Sequence, residues 1–281
     1  MEKIRLKEHF EEILSSILFY EPTEAREILF LVFEKIYGVK KNDFVINDFF
    51  LPLKDNEIDQ IIKRLNQNEP IQYILGEAWF CEYKFYVNEN VLIPRPETEE
   101  LISHIVNYKP KSILDLGTGS GCIAISCAKI LKNTEVYAVD ISEKALEIAK
   151  KNNLNLEAKV KLSIADILDF HNPFGKIKFD MIVSNPPYVK DSEQKEMRKN
   201  VLDFEPFLAL FVADNDPLIF YRKIAEIGLT HLKPKGKIIV EINSALGIET
   251  CQIFENYGYQ NVILINDFLG RNRFVFGEFL G

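Results

Sequence analysis

The sequence predicts an α/β fold in which helices cover a mostly parallel β-sheet, preceded by a small helical bundle. From residue 110 onward, short apolar runs alternate with segments of helical periodicity, which is typical of βαβ units. Before residue 76, apolar side chains recur at three- and four-residue intervals, the spacing of a buried helical face. The chain has 281 residues, 47% of them hydrophobic, which is enough for one large and one smaller domain.

The composition argues against several classes of protein. The 34 Lys and Arg residues and 42 Asp and Glu residues give a net charge of -8, which disfavours a broad electrostatic contact with nucleic acid. No apolar run reaches the roughly 18 residues of a membrane span, and the first residues lack a signal-peptide core. The four cysteines have the spacing of neither a zinc site nor a disulfide framework. We therefore expect a cytoplasmic protein with reduced cysteines, no metal site, no membrane contact and no direct nucleic-acid binding.

Residues 1–75 are predicted to form a helical domain. The apolar face of the first helix consists of Leu6, Phe10, Ile13, Leu14, Ile17 and Leu18. A second helix begins at Pro22, whose fixed φ suits a first helical turn, and ends at Gly38, which tolerates a left-handed cap. Residues 42–50 and 55–68 continue the helical pattern.

The pattern changes between residues 76 and 93, where aromatic and β-branched residues replace helix formers. The segments WFCEYKFYV (79–87) and VLI (91–93) flank the polar turn NEN (88–90), which predicts a β-hairpin. We expect residues 76–93 to be a hairpin linker between the helical domain and a second domain, residues 94–281.

Seven short apolar runs in the second domain are candidate strands. They are SILDLG, EVYAVD, KVKLSIAD, FDMIVSN, KIIVEI, NVILIND and RFVFGE. Helical segments lie between several of them, which implies parallel crossover connections, but only a short turn joins the last two, so the final strand is predicted to be antiparallel. In such a sheet, ligands bind at the carboxyl ends of the strands.

The first strand ends in the glycine-rich turn DLGTGSG, a candidate ligand-binding turn. Glycines allow the backbone to approach a ligand closely, and the helix that follows offers free N–H groups. The spacing G-x-G-x-G differs from the dinucleotide pattern G-x-G-x-x-G and favours S-adenosylmethionine over NAD. The candidate cofactor contacts in this turn are Asp115, Gly117, Thr118, Gly119, Ser120 and Gly121.

Two further strand ends supply candidate contacts for the same cofactor. Asp140 ends the second strand and can accept hydrogen bonds from both ribose hydroxyls; the alternative role, a helix cap, suits Ser142 better. Asp166 ends the third strand and is a candidate to receive the adenine amine, with Ile167 packed on the ring. The alternative for Asp166 is a carboxylate in a surface loop.

The fourth strand leads into SNPPYV (184–189), which places Asn185 at the same edge of the sheet. Neither proline has an N–H group, and a residue before proline adopts extended conformations, so this turn presents acceptors and few donors. A planar NH2 group can donate to the Asn185 side-chain oxygen and the Pro186 carbonyl, with Tyr188 packed against it. The predicted catalytic residues are Asn185, Pro186 and Tyr188, and Pro187 joins them as a substrate-binding residue.

Alignment is the predicted source of catalysis. An amine of this kind has a delocalised lone pair and is a poor nucleophile, and orientation alone can recover about 7–11 kcal/mol of barrier. No strong base is needed before transfer, because the nitrogen loses its proton readily once methylated. The four histidines lie outside these motifs and are predicted to be non-catalytic.

Taken together, these motifs resemble those of the PrmC/HemK glutamine methyltransferases over nearly the whole chain. The matching segments are NEPIQYILG (68–76), VLIPRPETEEL (91–101), ILDLGTGSGCIAI (113–125), AVDIS (138–142), IVSNPPYV (182–189) and EP...AL (205–210). The resemblance implies a Rossmann-like class I methyltransferase fold with a seven-stranded sheet. It implies methyl transfer from S-adenosylmethionine to the glutamine side-chain nitrogen in the Gly-Gly-Gln motif of class I peptide-chain release factors.

The resemblance also assigns roles by position. It places residues 117–121, Asp140, the residue after Asp166, and Asn185 at the cofactor, and it places residues 185–188 at the glutamine. Together with their separateness, it implies that residues 1–75 dock the release factor.

Two further positions near the predicted site are Ile167 and Arg95. Ile167 departs from the family, which often has an aromatic residue there. Arg95 either orders the active-site wall or is a hinge residue paired with Glu97 or Glu99.

Two other readings stay open from the residues alone. A methyltransferase acting on adenine in DNA, or on guanine in ribosomal RNA, would also use an asparagine-proline-proline turn to hold an exocyclic amine. It would need a basic surface, which the net charge of -8 disfavours. A non-enzymatic nucleotide-binding protein would explain the glycine turn and leave residues 185–188 unexplained.

Overall fold

The structure is a computed structural model that describes residues 3–46, 49–52 and 55–281. It divides into two compact units. The first consists of Met1–Gly76 with Arg198–Phe204, and the second of Glu77–Met197 with Glu205–Gly281. No helix in these described ranges is long and apolar enough to cross a bilayer.

The elements of the first 110 residues, in chain order, are β1 (Lys3–Arg5), α1 (Leu6–Leu14), α2 (Pro22–Tyr37), α3 (Asp43–Ile46), β2 (Phe50–Pro52), α4 (Asp55–Leu65), α5 (Ile71–Leu75), β3 (Ala78–Phe80), β4 (Tyr83–Phe85) and α6 (Pro96–Tyr108). The remaining elements are β5 (Ser112–Leu116), α7 (Cys122–Ile130), β6 (Glu135–Asp140), α8 (Glu143–Asn155), β7 (Lys161–Ile164), β8 (Phe179–Ser184), β9 (Val189–Lys190), α9 (Lys199–Phe204), α10 (Phe207–Leu210), β10 (Phe211–Val212), α11 (Ile219–His231), β11 (Leu232–Glu241), α12 (Gly247–Asn256), β12 (Gln260–Asn266) and β13 (Asn272–Phe279).

The first unit is the predicted helical bundle. Its core is apolar, and its most buried members are Leu6, Phe10, Leu29, Val32, Phe33 and Leu65. Helix α2 begins at Pro22 and ends at Gly38, which has φ +70° and is the left-handed cap that the sequence predicts.

The prediction of helix over residues 42–50 is only partly right. Residues 43–46 are helical, residues 47 and 48 lie outside the described residues, and Phe50 begins strand β2. Strand β2 pairs with β1, with Ile4 opposite Leu51. Such a pairing joins segments far apart in the chain, so local periodicity does not reveal it.

The second unit is built on one seven-stranded sheet in the order β12-β13-β11-β8-β5-β6-β7. Strands β11, β8, β5, β6 and β7 are all parallel to their neighbours in this group. Strand β13 runs antiparallel to both β11 and β12, as the sequence predicts. From β5 the chain builds outward to β6 and β7, and it then returns to place β8 on the other side of β5. The carboxyl ends of β5 and β8 therefore flank the point where the strand order reverses, which is where ligands bind in such sheets.

The predicted hairpin exists, but its turn lies elsewhere. Strands β3 and β4 are joined at Cys81 and Glu82, with φ +48° and +64°, instead of at residues 88–90, and residues 91–93 are not a strand. A two-residue turn with positive φ at both positions favours Asn and Gly, so Cys-Glu gives no signal in the sequence. Phe80 and Phe85 are fully buried in the core of the second unit.

Asn152 of α8 ties the segment after this hairpin to the glycine-rich turn. Its side chain accepts a hydrogen bond from the Tyr86 N–H at 2.7 Å and donates to the Tyr86 and Ser120 carbonyls at 2.9 Å each. The residue is 1% exposed. Three satisfied backbone groups in a buried place make Asn152 a strong constraint on the position of the turn.

Replacing Asn152 with Ala should lower the free energy of unfolding by about 2–3 kcal/mol, because it leaves buried backbone groups without partners. The single tryptophan, Trp79 in β3, reports urea denaturation of this unit by fluorescence. As a control, Asn155→Ala at an exposed position of the same helix should stay within about 0.5 kcal/mol of wild type. Equal effects of the two substitutions would contradict the assigned role of Asn152.

Candidate active site

A cavity of about 200 Å³ lies at the carboxyl ends of β5, β6 and β8 in the second unit. The predicted residues that line it are Gly117, Thr118, Gly119, Ser120, Asp140, Asp166, Ile167, Asn185 and Pro187. A smaller adjoining cavity is lined by Tyr188, and it shares Leu92, Arg95, Asn185 and Ala209 with the first. Asp115, Gly121 and Pro186 are buried and are not part of either lining.

The glycine-rich turn is held by backbone hydrogen bonds to the neighbouring strand. The N–H groups of Gly117 and Thr118 both donate to the Val139 carbonyl at 2.9 Å. Gly117, Gly119 and Gly121 have φ values of +76°, +55° and +83°, in the left-handed region that favours glycine.

The glycines have different surroundings. A Cβ atom at Gly119 would meet open space, whereas one at Gly121 would lie 2.8 Å from the Ile125 side chain and 3.3 Å from Ala149. Gly119 therefore borders the space that a ligand would fill. Gly121 permits the close packing of α7 against α8.

Asp115 lies behind the turn and is fully buried. The Thr118 hydroxyl donates to one of its carboxylate oxygens at 2.6 Å, and the other oxygen has no hydrogen-bond partner among the described residues. Burial raises the pKa of this carboxyl to about 7, and the bond from Thr118 only partly offsets that effect. Asp115 thus supports the turn from inside and places negative charge behind the cavity when it is ionised.

Asp140 joins the turn to the cavity. Its two oxygens accept from the Gly119 N–H at 2.8 Å and the Ser142 N–H at 2.9 Å, which leaves lone pairs for a ligand. Burial raises the pKa of this carboxyl, and the backbone hydrogen bonds oppose the effect. Ser142 caps α8 through the Ala145 N–H at 3.2 Å, so the capping role belongs to Ser142, as predicted.

Asp166 and Ile167 also line the larger cavity. Strand β7 ends at Ile164, so Asp166 lies two residues beyond the strand instead of at its end. One of its oxygens accepts from the Leu168 N–H at 2.8 Å, which fixes the turn. Ile167 is 7% exposed, and its Cδ1 atom lies 3.6 Å from the Cβ position of Gly117.

Asn185 is connected to two residues that sequence reasoning missed, Thr98 and Glu241. The Asn185 amide nitrogen lies 3.4 Å from the Thr98 hydroxyl, which donates to Glu241 at 2.7 Å. The Tyr188 hydroxyl donates to the other Glu241 oxygen at 3.0 Å. The available signal was a glutamate within the apolar run KIIVEI, at the end of β11.

Glu241 is 1% exposed, and Thr98 is 2% exposed. Burial raises the pKa of Glu241, while the hydrogen bonds from Thr98 and Tyr188 and the nearby Arg273 guanidinium lower it. A nitrogen of Arg273 lies 3.9 Å from Glu241, and Asp267 pairs with the same guanidinium at 3.0 Å. The carboxylate is therefore buried among donors, as a buried charge requires.

The backbone of the 185–188 turn is also anchored. The Tyr188 N–H donates to the Leu210 carbonyl at 3.2 Å, and the Tyr188 carbonyl accepts from the Asn243 amide at 3.1 Å. The two hydrogen-bonding groups of the Tyr188 backbone are thus satisfied within the fold. The turn is held from both sides, which suits a rigid binding element.

Arg95 pairs with Glu205, so the alternative in which it pairs with Glu97 or Glu99 is wrong. The Arg95 guanidinium donates to Glu205 at 2.6 Å, and the other Glu205 oxygen accepts from the Ile93 N–H at 3.1 Å. The Glu205 side chain is 1% exposed. Because Arg95 lines both cavities, this pair orders a wall that the two cavities share.

The sequence-family model of the methyltransferase small domain matches residues 96–203. Two curated relatives, each named release factor glutamine methyltransferase, match almost end to end. The relative from Flavobacterium psychrophilum is 44% identical over 276 residues, with 95% of each chain covered. The relative from Bacteroides thetaiotaomicron is 46% identical over 273 residues, with 96% of this chain and 97% of the relative covered.

Solved structures show a similar fold. A methyltransferase from Pyrococcus furiosus superposes with a TM-score of 0.51 at 19% identity, covering 69% of this chain and 87% of that chain. A 16S rRNA N2 G1207 methyltransferase from Thermus thermophilus, solved with AdoMet and guanosine, gives a TM-score of 0.50 at 15% identity over 72% of this chain and 49% of that chain. These likenesses confirm the predicted Rossmann-like methyltransferase fold.

The raised pKa of Asp115 predicts a pH-dependent stability. Its folded value of about 7 exceeds its ordinary value of 3.8, so its stabilising contribution is complete below pH 3.8 and is lost as pH rises through 7. Asp115→Asn is neutral at every pH and keeps an acceptor for Thr118. In urea denaturation, the free energy of unfolding of Asp115→Asn should fall less steeply between pH 5 and pH 7.5 than that of wild type. The two slopes should differ by up to about 1.4 kcal/mol per pH unit. Parallel pH profiles would contradict this account of Asp115.

Proposed function

The chain belongs to the family of release factor glutamine methyltransferases, and we propose that its residues 185–188 hold the acceptor glutamine beside S-adenosylmethionine. The enzyme transfers a methyl group to a glutamine side-chain nitrogen of a release factor. The glutamine of the Gly-Gly-Gln motif is the acceptor in this proposal. Asn185 lines both cavities, and this observation carries the proposal, because a group in one cavity can meet a group in the other at this side chain.

The larger cavity fits the cofactor. S-adenosylmethionine supplies an activated methyl group. Gly119 leaves room for a ligand against the backbone, and Asp140 has lone pairs for the ribose hydroxyls. In this proposal Asp166 and Ile167, which line the cavity, contact the adenine, with the aliphatic side chain of Ile167 packing on the ring. Asp115 contributes charge from behind the turn, without direct contact.

The smaller cavity suits the glutamine side chain. Asn185 lines this cavity and offers an acceptor for one amide hydrogen, and Tyr188 and Leu92 provide surfaces for the planar group. The Pro186 carbonyl, which lies outside the lining in this structure, is the proposed acceptor for the second hydrogen once the glutamine is bound. The amide nitrogen is then directed at the methyl group in the neighbouring cavity. Since an amide is a poor nucleophile, the enzyme acts chiefly by alignment, which is worth up to about 7–11 kcal/mol. The nitrogen becomes acidic on methylation and loses its proton without a dedicated base.

The direct test uses purified protein, labelled S-adenosylmethionine and a class I release factor, with mass spectrometry to locate the added methyl group. The label should appear on the glutamine of the Gly-Gly-Gln motif. Duplex DNA and ribosomal RNA, offered as competing substrates, should stay unlabelled. A methyl group on nucleic acid and none on the release factor would overturn the proposed substrate.

Replacing Asn185 with Ala should impair the orientation of the acceptor and leave cofactor binding largely intact. Cofactor affinity, measured by calorimetry, should stay within about tenfold of wild type, while turnover is largely lost because the acceptor is no longer oriented. Loss of cofactor binding would show that Asn185 serves mainly the cofactor. A thermal melt of the variant checks that the fold is intact.

The first unit is the proposed docking element for the release factor. The turn after α1 exposes Leu18 and Phe19, whose side chains are 69% and 62% exposed. Asn66 fixes this turn, since its side chain accepts from the Leu18 N–H at 3.0 Å and donates to the Ser16 carbonyl at 2.8 Å. Exposed apolar side chains on a backbone that is held in place are suited to contacts with another protein. A release factor acts at the ribosome, so this substrate fits a cytoplasmic location.

Replacing Leu18 and Phe19 together with Ser should reduce kcat/KM for the intact release factor about fivefold or more, because apolar contact area is lost. Cofactor affinity should be unchanged, and so should methylation of a short peptide that contains the Gly-Gly-Gln motif. Val45, which is 83% exposed in α3, offers a matched control as Val45→Ser. Full activity of the double variant on the intact factor would remove this turn from the docking surface.

A further inference from the structure

Glu241 is a buried carboxylate whose two oxygens receive hydrogen bonds from Thr98, which lines the larger cavity, and from Tyr188, which lines the smaller one. Thr98 donates to one oxygen at 2.7 Å, and Tyr188 donates to the other at 3.0 Å. Among the described residues, no hydrogen bond joins the glycine-rich turn or Asp140 to this carboxylate. The carboxylate therefore joins a residue of the larger cavity to a residue of the smaller one.

The direction of these hydrogen bonds follows from chemistry. An ionised carboxylate accepts and does not donate, so the single hydroxyl proton of Thr98 must point at Glu241. The Thr98 oxygen can then only accept from Asn185, and the amide nitrogen is the one Asn185 atom that can donate. The contact of 3.4 Å is long, as active-site hydrogen bonds often are before the substrate binds.

This polarity decides which atom Asn185 offers to a substrate. With its nitrogen directed at Thr98, the amide presents its oxygen elsewhere, and the side chain lines both cavities. An oxygen in that place accepts a hydrogen bond from a substrate NH2. The reversed amide would present a donor to the same NH2 group, and two donors facing each other repel.

We infer that Glu241 and Thr98 are positioning residues that act through Asn185, because they hold its amide in the orientation that accepts from the substrate nitrogen. The inference rests on the proposed function, in which the acceptor is an NH2 group. Glu241 also accepts from the Tyr188 hydroxyl and so fixes the Tyr188 ring. A single carboxylate therefore sets the side chains of Asn185 and Tyr188, which flank the acceptor in this proposal. Catalysis by alignment then depends on a residue that does not touch the substrate.

The experiment compares Thr98→Val with Thr98→Ser. Valine has nearly the shape of threonine but has no hydroxyl, so the side-chain amide of Asn185 is free to rotate into the reversed orientation. Turnover of Thr98→Val should fall about 10- to 100-fold, while cofactor affinity and the KM for the release factor change less than about threefold. Serine restores the hydroxyl, and Thr98→Ser should recover most of the lost turnover.

A double-mutant cycle with Asn185 excludes a merely structural role. If Thr98 acts through Asn185, then Thr98→Val should have little further effect on the residual turnover of Asn185→Ala. Glu241→Gln should behave like Thr98→Val, because one of its side-chain atoms becomes a donor and the set of bonds can no longer be satisfied. Melting temperatures identify any variant that fails to fold. If Glu241→Gln fails to fold, the comparison of Thr98→Val with Thr98→Ser and the cycle with Asn185→Ala still test the inference.

The outcomes separate this inference from the proposed function. The acceptor that the wild-type enzyme methylates is identified first by mass spectrometry, and all variants are then assayed on it. A nucleic-acid acceptor would overturn the proposed substrate, and the Thr98 comparison would still test the role of the hydroxyl. Near wild-type turnover of folded Thr98→Val, or equal losses in Thr98→Val and Thr98→Ser, would overturn the inference.

Discussion

The structure of the active site depends on two adjacent parallel strands, β5 and β8, that end at the same edge of the sheet while the chain leaves them in different directions. Leu116 of β5 pairs with Ser184 of β8, so the glycine-rich turn and Asn185 both begin one residue beyond this pair. The Ser184 hydroxyl donates to the Leu116 carbonyl at 2.6 Å and locks the two strand ends together. In the proposed function, the methyl donor at the first turn and the acceptor glutamine at the second are therefore brought together by the register of the sheet.

Three carboxylates, of which Glu205 and Glu241 are buried and Asp140 is partly buried, then order the groups around this pair of strand ends. Asp140 holds the glycine-rich turn, Glu205 holds the wall that contains Arg95, and Glu241 holds Thr98 and Tyr188. Each one is bound by backbone or side-chain donors, which reduces the cost of burying a charge. In the proposed function the substrate amide is a poor nucleophile, and this fixed arrangement takes the place of strong acid or base chemistry.

The elements that position the site could be predicted from the sequence because they have local signatures. The seven strands, the antiparallel last strand and the Ser142 cap all follow from patterns within a few residues. The hairpin turn at Cys81 and Glu82 could not be placed, because its residues are atypical of the backbone conformation that they adopt.

The parts of the site that the sequence did not reveal are long-range pairings. Glu205 lies 110 residues from Arg95, and Glu241 lies 143 residues from Thr98. A single sequence shows which side chains are polar but not which of them meet in the fold. The direction of the Asn185 amide depends on such a pairing, so only the three-dimensional structure could supply it.

The most direct test is a crystal structure of the enzyme with S-adenosylhomocysteine and a peptide that contains the Gly-Gly-Gln motif. The glutamine amide nitrogen should lie within hydrogen-bond distance of the Asn185 side-chain oxygen and the Pro186 carbonyl, with the cofactor sulfur facing that nitrogen. A complex in which residues 185–188 contact neither the glutamine nor the region of the sulfur would contradict the central claim that this turn aligns the acceptor.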